Sequence, residues 1–335
     1  MATAEQLKAL IRSHNGGDDE HFRAIAMQIA AASAKKGDTQ LAQELRQLLD
    51  EAQRKQTPVG LPRAVPIARP AGELAGLVTA SYPNVRLADM VLSDSVRSQL
   101  EALIGQYHQR DLLRSNGLAP KRKLLLIGPP GCGKTMSASA IAGECGLPLM
   151  FVQLHSLITK YMGETAAKLH LVFDAMIQTH GVYLFDEFDA IGAERGTRND
   201  VGEIRRVLNS FLQFLERDDS ESIIIAATNF ARMLDTALFR RFDDIVSYEL
   251  PSASMVRTLV ENRLTVFDLS GLKWRQIVAA ASRLSHAEVT RACEEAARKA
   301  VLATTRTITS DSLQRALKAR HHLSSRRGSK EIPRR

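Results

Sequence analysis

The chain has 335 residues, a formal net charge of +8 and three cysteines. That length allows two or three structural units with a sizeable core. Cys132, Cys145 and Cys293 show neither metal nor disulfide spacing. No apolar run nears a membrane span, and no apolar signal core opens the chain, so a cytoplasmic protein is expected.

Residues 1–56 repeat apolar positions at helical spacing, at Leu7, Leu10 and Ile11, then Phe22, Ile25 and Ile29, then Leu41, Leu45, Leu48 and Leu49. Gly16-Gly17 and Gly37-Asp38 divide them, predicting a three-helix docking or assembly domain without catalytic residues. Residues 57–78 contain Pro58, Pro62, Pro66 and Pro70 and predict a semi-stiff linker. From 79 to 250, short apolar runs at 124–127, 148–153, 182–185, 222–227 and 245–250 alternate with helical patterns at 93–114, 135–145, 165–179 and 203–217. This alternation predicts an α/β domain, a mainly parallel sheet covered on both faces.

Residues 251–322 turn all-helical, at 253–264, 273–283, 286–304 and 310–320. Ser285 with Glu288 predicts a capping box for the third of these helices, and Thr309 or Ser310 caps the last. From Arg315 onward eight basic residues accompany one acid, Glu331, which places +7 of the +8 at the end of the chain. Residues 323–335 read as a disordered basic tail, either simply solvated or docking to acidic protein or nucleic acid.

The chemistry begins at Gly128-Pro129-Pro130-Gly131-Cys132-Gly133-Lys134-Thr135, a full match to the phosphate-loop pattern between an apolar strand and a helix. Its backbone amides cradle phosphates at a helix N-terminus, Lys134 reaches the β- and γ-phosphates, and Thr135 ligates Mg²⁺. A nucleoside triphosphate with Mg²⁺ is therefore expected to bind. About fifty residues later, Val182–Phe185 ends in Asp186-Glu187. Asp186 would hold the hydrated Mg²⁺, and Glu187 would orient and deprotonate the attacking water. Asn229, ending the run Ile223–Thr228, either hydrogen-bonds the γ-phosphate and the water or merely caps a following helix. The adjacent Arg240 and Arg241 either neutralise transition-state charge or lie on a solvated face.

In order and spacing these elements resemble the AAA subgroup of the AAA+ ATPases over roughly residues 85–320. The segment 222–243 resembles the second region of homology specific to that subgroup. The resemblance implies a three-layer αβα phosphate-loop domain with a C-terminal helical lid, preceded here by the small all-α domain. It implies ATP hydrolysis in a homo-oligomeric ring, most often a hexamer, with Arg240 and Arg241 acting on the neighbour's site. Lys160, Tyr161 and Met162, followed by Gly163, resemble the family's first pore loop, whose aromatic side chain grips an extended protein substrate. Gly192–Asp200 stands where a second pore loop belongs.

Departures from the family pattern are the contiguous arginines, as in katanin and spastin, Cys132 in place of a common threonine, and Ser285-His286-Ala287-Glu288 in the lid. That lid segment supplies no arginine of its own, and His286 either lies near the expected adenine or is a structural or solvated helix-start histidine. No His-Glu-x-x-His zinc motif occurs, so any proteolysis would need a separate peptidase. One ATPase module behind a helical domain resembles stand-alone bacterial AAA proteins. The expected function is a ring motor that unfolds or disassembles protein substrates, with an adaptor or peptidase as further partner and no membrane. A nucleic-acid remodeller using the basic tail and a non-motor regulatory ATPase are the alternatives. The first lacks a DNA-binding element, and the second has no need of Glu187, Asn229 and the arginine pair.

Overall fold

A computed structural model describes residues 70, 72–157, 162–188, 200–229 and 239–328. The expected helical unit at 1–56, most of the linker and residues 329–335 lie outside the described residues. Six strands form one sheet in the order β1-β3-β4-β5-β2-β6. They are β1 (Val78–Ser81), β2 (Lys123–Ile127), β3 (Leu149–Val152), β4 (Val182–Phe185), β5 (Ile223–Thr228) and β6 (Asp244–Ser247). All neighbours pair parallel except β1, which runs antiparallel to β3.

The two faces of the sheet follow from the period-two geometry of a strand. Leu124 and Leu126, Val182 and Leu184, and Ile223 and Ile225 point to one face. There they meet α1 (Asp94–His108) and α3 (Lys134–Cys145). Leu125, Tyr183, Phe185 and Ile224 point to the other, against α5 (Met162–Gln178) and α6 (Asp200–Arg217). Burial on both faces is why these strands read as unbroken apolar runs. Two short helices, α2 (Arg110–Ser115) and α4 (Leu154–Leu157), complete the layer. The helix expected at 93–114 is thus two, broken at Gln109, whose backbone leaves the helical region.

A separate apolar core joins α7 (Ala253–Arg263), α8 (Trp274–Ala281), α9 (His286–Leu302) and α10 (Ser310–Gly328) into the expected helical lid. Ala292, Ala296 and Ala300 give α9 a slim buried stripe that lets its neighbours approach. Ser285 caps α9 by accepting from Glu288 N, but the reciprocal half of the expected box is absent among the described residues. The Glu288 carboxylate faces Arg291 and Arg320 instead. Thr309 caps α10, accepting from Ser312 N.

Two boundaries shift. Leu77 and Val78 are buried under the sheet, so the expected linker 57–78 ends earlier, in a 3-10 turn at Gly72–Gly76 and the start of β1. At the other end α10 continues through Gly328, into the tail expected to be disordered.

Between β1 and α1 the chain crosses α3 as a strap. The crossing depends on Gly143, where an added Cβ would stand 2.4 Å from the Val85 carbonyl oxygen. Beside it Glu144 accepts from Leu87 N at 3.2 Å and pairs with Arg86 at 3.1 Å. Arg97 donates to the Leu87 and Met90 carbonyls. Gly143→Ala must push backbone from backbone, and should destabilise by about 1–3 kcal/mol in chemical denaturation. Wild-type stability in that variant would show that the strap does not need the close crossing.

Candidate functional site

Strand β2 ends at Ile127, and the chain turns into the loop 128–133 before entering α3. Gly128, Gly131 and Gly133 all have positive φ, at 147°, 74° and 103°. Gly128 also touches Tyr248, since a Cβ there would lie 2.3 Å from the Tyr248 carbonyl oxygen. Gly131 is pressed against the lid, where a Cβ would meet Ser285 Oγ at 2.7 Å. Its carbonyl accepts from Ala287 N at 3.0 Å, tying the first turn of α9 to the loop. The first amides of α3 have no partner within the helix, and the helix dipole makes this end attract anions.

Lys134 is buried and donates to the Gly128 and Pro129 carbonyls at 2.7 and 3.0 Å and to Asn229 Oδ1 at 2.8 Å. Asn229 therefore sits within hydrogen-bond reach of the phosphate-loop lysine. Thr135 Oγ1 donates to Asp186 Oδ2. Asp186 Oδ1 accepts from Glu187 N at 2.8 Å.

Glu187 is exposed and has a left-handed backbone, φ 52°, a costly conformation for a residue with a side chain. Anchors on both sides hold it there. Phe185 and Phe188 are fully buried and pack on Phe211 of α6, with ring centroids 5.0 and 4.7 Å away. Phe188 N also donates to the Ala227 carbonyl at 2.9 Å.

These groups line one cleft of about 730 Å³ between sheet and lid. Pro130, Gly131, Cys132, Gly133, Lys134, Thr135, Asp186, Glu187 and Asn229 all border it, while Gly128 and Pro129 form the turn behind it. Sequence reasoning missed two of its walls. One is Asp89–Leu92 at the end of the strap, and the other is the lid, with Leu259, Asn262 and Arg263 of α7 and Thr290, Arg291 and Glu294 of α9. Neither carries a motif, so only the tertiary crossing at Gly143 reveals the first. Lid arginines therefore do reach the cleft, from positions other than the Ser285–Glu288 segment. Arg263 pairs with Glu294 and Arg291 with Glu288.

A second cavity of about 260 Å³ adjoins the cleft at Leu92, Cys132 and His286. Among the described residues, neither ring nitrogen of His286 has a hydrogen-bond partner. Burial pushes its imidazole below the usual value, so it is neutral at pH 7. The Cys132 thiol is raised by burial, which outweighs the opposing influence of Lys134, and is no ready nucleophile. Burial likewise pushes Tyr248 up to about 12, with its hydroxyl donating to Ser137 Oγ at 2.7 Å.

The arginine pair is elsewhere. Strands β2 and β6 run parallel, with Leu124 opposite Asp244 and Ile127 opposite Ser247. Arg240 and Arg241 precede the start of β6, whereas the phosphate loop follows the end of β2. At least about 10 Å of strand separates these two ends of the sheet, and neither arginine lines the cleft. Lys160 and Tyr161 lie outside the described residues, as do 192–199 of the expected second pore loop. Met162 is the first residue of α5.

An oxygen pair such as Thr135 and Asp186 fits Mg²⁺, which takes one or two protein ligands and completes its shell with phosphates and water. Consistent with that division, the described residues hold no cluster of three or more metal-ligating side chains. No helix among them is long and apolar enough to cross a membrane.

Residues 124–250 match the family described as ATPase family associated with various cellular activities (AAA). The chain is 35% identical over 319 residues to an uncharacterized AAA family ATPase, y4kL, of Sinorhizobium fredii, covering 95% of each chain. It is 31% identical to the ATP-dependent zinc metalloprotease FtsH of Acidothermus cellulolyticus, over 73% of this chain and 40% of that protein. With a probable spastin homologue of Brugia malayi it shares 32% identity, over 64% of this chain and 49% of the other. The chain thus spans less than half the length of these last two relatives. The crystal structure of the FIGL-1 AAA domain has the same fold, with a TM-score of 0.58 at 21% identity, over 76% of this chain and 92% of that one. The chain belongs to the AAA family and is an ATPase.

Proposed function

We propose that the chain is the subunit of a ring-shaped motor that couples ATP hydrolysis to the unfolding or disassembly of protein substrates. One observation supports the reading: the cleft gathers Lys134, Thr135, Asp186, Glu187 and Asn229, while Arg240 and Arg241 sit at the other end of the same sheet. A second subunit docked there would bring its arginines to this cleft. That arrangement makes hydrolysis depend on the neighbour and allows successive subunits to fire in turn.

In the cleft, ATP phosphates lie on the loop amides and on Lys134, whose ammonium exchanges carbonyl partners for phosphate oxygens. The smaller cavity beside His286 has room for the base. Mg²⁺ held by Thr135 and Asp186 would neutralise charge on the β- and γ-phosphate oxygens. Glu187 accepts a proton from water as the water oxygen attacks the γ-phosphorus, and the bond to the β-phosphate oxygen breaks to leave ADP and phosphate. Asn229, hydrogen-bonded to Lys134, orients that water and registers whether the γ-phosphate is present.

Lys160, Tyr161 and Met162 are assigned to the gripping loop of the pore. The 1–56 segment is assigned to choosing the client or an adaptor, and a separate peptidase fits downstream of such a motor.

Two measurements test this. Glu187→Gln should bind ATP with affinity near wild type while kcat falls by about 10²–10⁴-fold. Wild-type turnover would overturn its assignment as the base. Clients retained by Glu187→Gln in ATP can be named by mass spectrometry and then given to Tyr161→Ala. That variant should spend at least about tenfold more ATP per client remodelled, because its loop slips. An unchanged ratio would remove Tyr161 from the gripping role.

A further inference from the structure

The two adjacent arginines are not equivalent in their surroundings. Phe239 and Phe242 flank them, and both pack into the core beneath the sheet. With both ends of the tetrapeptide pinned, the arginine side chains between them diverge. Arg241 turns inward, where its Nε lies 2.7 Å from Glu216 Oε1 near the end of α6, at an angle that makes an ion pair rather than an aligned hydrogen bond. The Arg241 side chain is 28% exposed and that of Glu216 50%, so the pair lies at the surface. Arg240 is exposed and makes no ion pair or hydrogen bond among the described residues.

The following residues fix this short segment further. Asp243 accepts from the backbone amides of Arg122 and Lys123 at 2.8 and 2.9 Å. Lys121 pairs with Asp244 at 2.9 Å. Arg122 and Lys123 in turn reach back to the end of α6, to Asp218 and to the Leu215 carbonyl. Segment 239–244 is therefore clamped between β2 and α6, with Arg240 the one cation left facing outward.

Resting on the shared-site reading, we infer that the pair divides its labour. Arg240 alone contacts the neighbouring subunit's nucleotide, and Arg241 is a positioning residue that, through Glu216, holds Arg240 at the right height. Drawing Arg241 to a phosphate would part it from Glu216, a modest cost because that carboxylate is 50% exposed. Arg240 can be presented at no such cost. Because Arg241 is tied to α6, any shift of that helix would move Arg240 with it. Since α6 also carries Phe211 against the Asp186-Glu187 turn, each subunit's own cleft can set the finger it offers the next.

The test uses the full chain, with steady-state ATPase and thermal melting for every variant. Arg240→Ala should lower kcat by roughly 10³-fold and regain part of it when mixed with Lys134→Ala subunits, which keep Arg240 but bind no ATP. Arg241→Ala and Glu216→Ala should each lower kcat by about 10²-fold with KM unchanged, the scale of a misplaced group. Their double variant should be no worse than either alone. The charge swap Glu216→Arg with Arg241→Glu should return activity to within about tenfold of wild type, which no residue that itself binds phosphate would permit.

A folded but inactive swap, with Glu216→Ala at wild-type rate, overturns the division of labour. Should the swap not fold, additive losses in the alanine pair overturn it equally. Absence of any recovery in the mixed rings instead overturns the shared site, whatever the pair does.

Discussion

Parallel strands held in register have two chemically different ends, and in this molecule the phosphate loop and the Arg240-Arg241 pair are carried to opposite ones. Strand β2 delivers the phosphate loop at its C-terminal end, and β5 and β4 deliver Asn229 and Asp186-Glu187 at the same edge. Strand β6 lies beside β2 in the same direction, so whatever precedes β6 is carried to the opposite edge. The ladder of backbone hydrogen bonds enforces this separation, and no side-chain rearrangement within one chain can close it. For the arginines to serve hydrolysis they must act across a subunit boundary, which is the physical ground for reading the chain as part of a ring.

A second constraint joins the cleft to the lid. Gly131 has no side chain, and that lets Ser285 and Ala287 at the start of α9 rest directly on the phosphate loop. The lid has its own apolar core and is joined to the loop by the Ala287 N to Gly131 carbonyl hydrogen bond. On the other wall, the strap over Gly143 fixes Met90–Leu92 at the cleft mouth.

Much of this was legible in the residues. The apolar runs of β2, β4 and β5 announced buried parallel strands, and the phosphate loop and Asp186-Glu187 stood out because their chemistry is local and their spacing restrictive. Strand β1 was missed because a short antiparallel edge strand, Val78–Ser81, has neither the length nor the alternation to separate it from a linker. The break between α1 and α2 at Gln109 left no glycine or proline to mark it. Cleft walls such as Asp89–Leu92 and Arg263 escaped notice for another reason. They reach the site through tertiary crossings, and nothing in their own neighbourhood encodes that destination. The unequal partners of Arg240 and Arg241 are likewise invisible in a sequence where the two are simply adjacent.

Because the account rests on a site completed by another copy of the chain, the most direct measurement is ATPase activity per subunit across a dilution series, with assembly state followed in parallel by mass photometry. The predicted result is a steep rise in specific activity with concentration, tracking the appearance of oligomers, and near-zero hydrolysis by the monomer. Specific activity that stays constant down to concentrations where only monomers remain would contradict it.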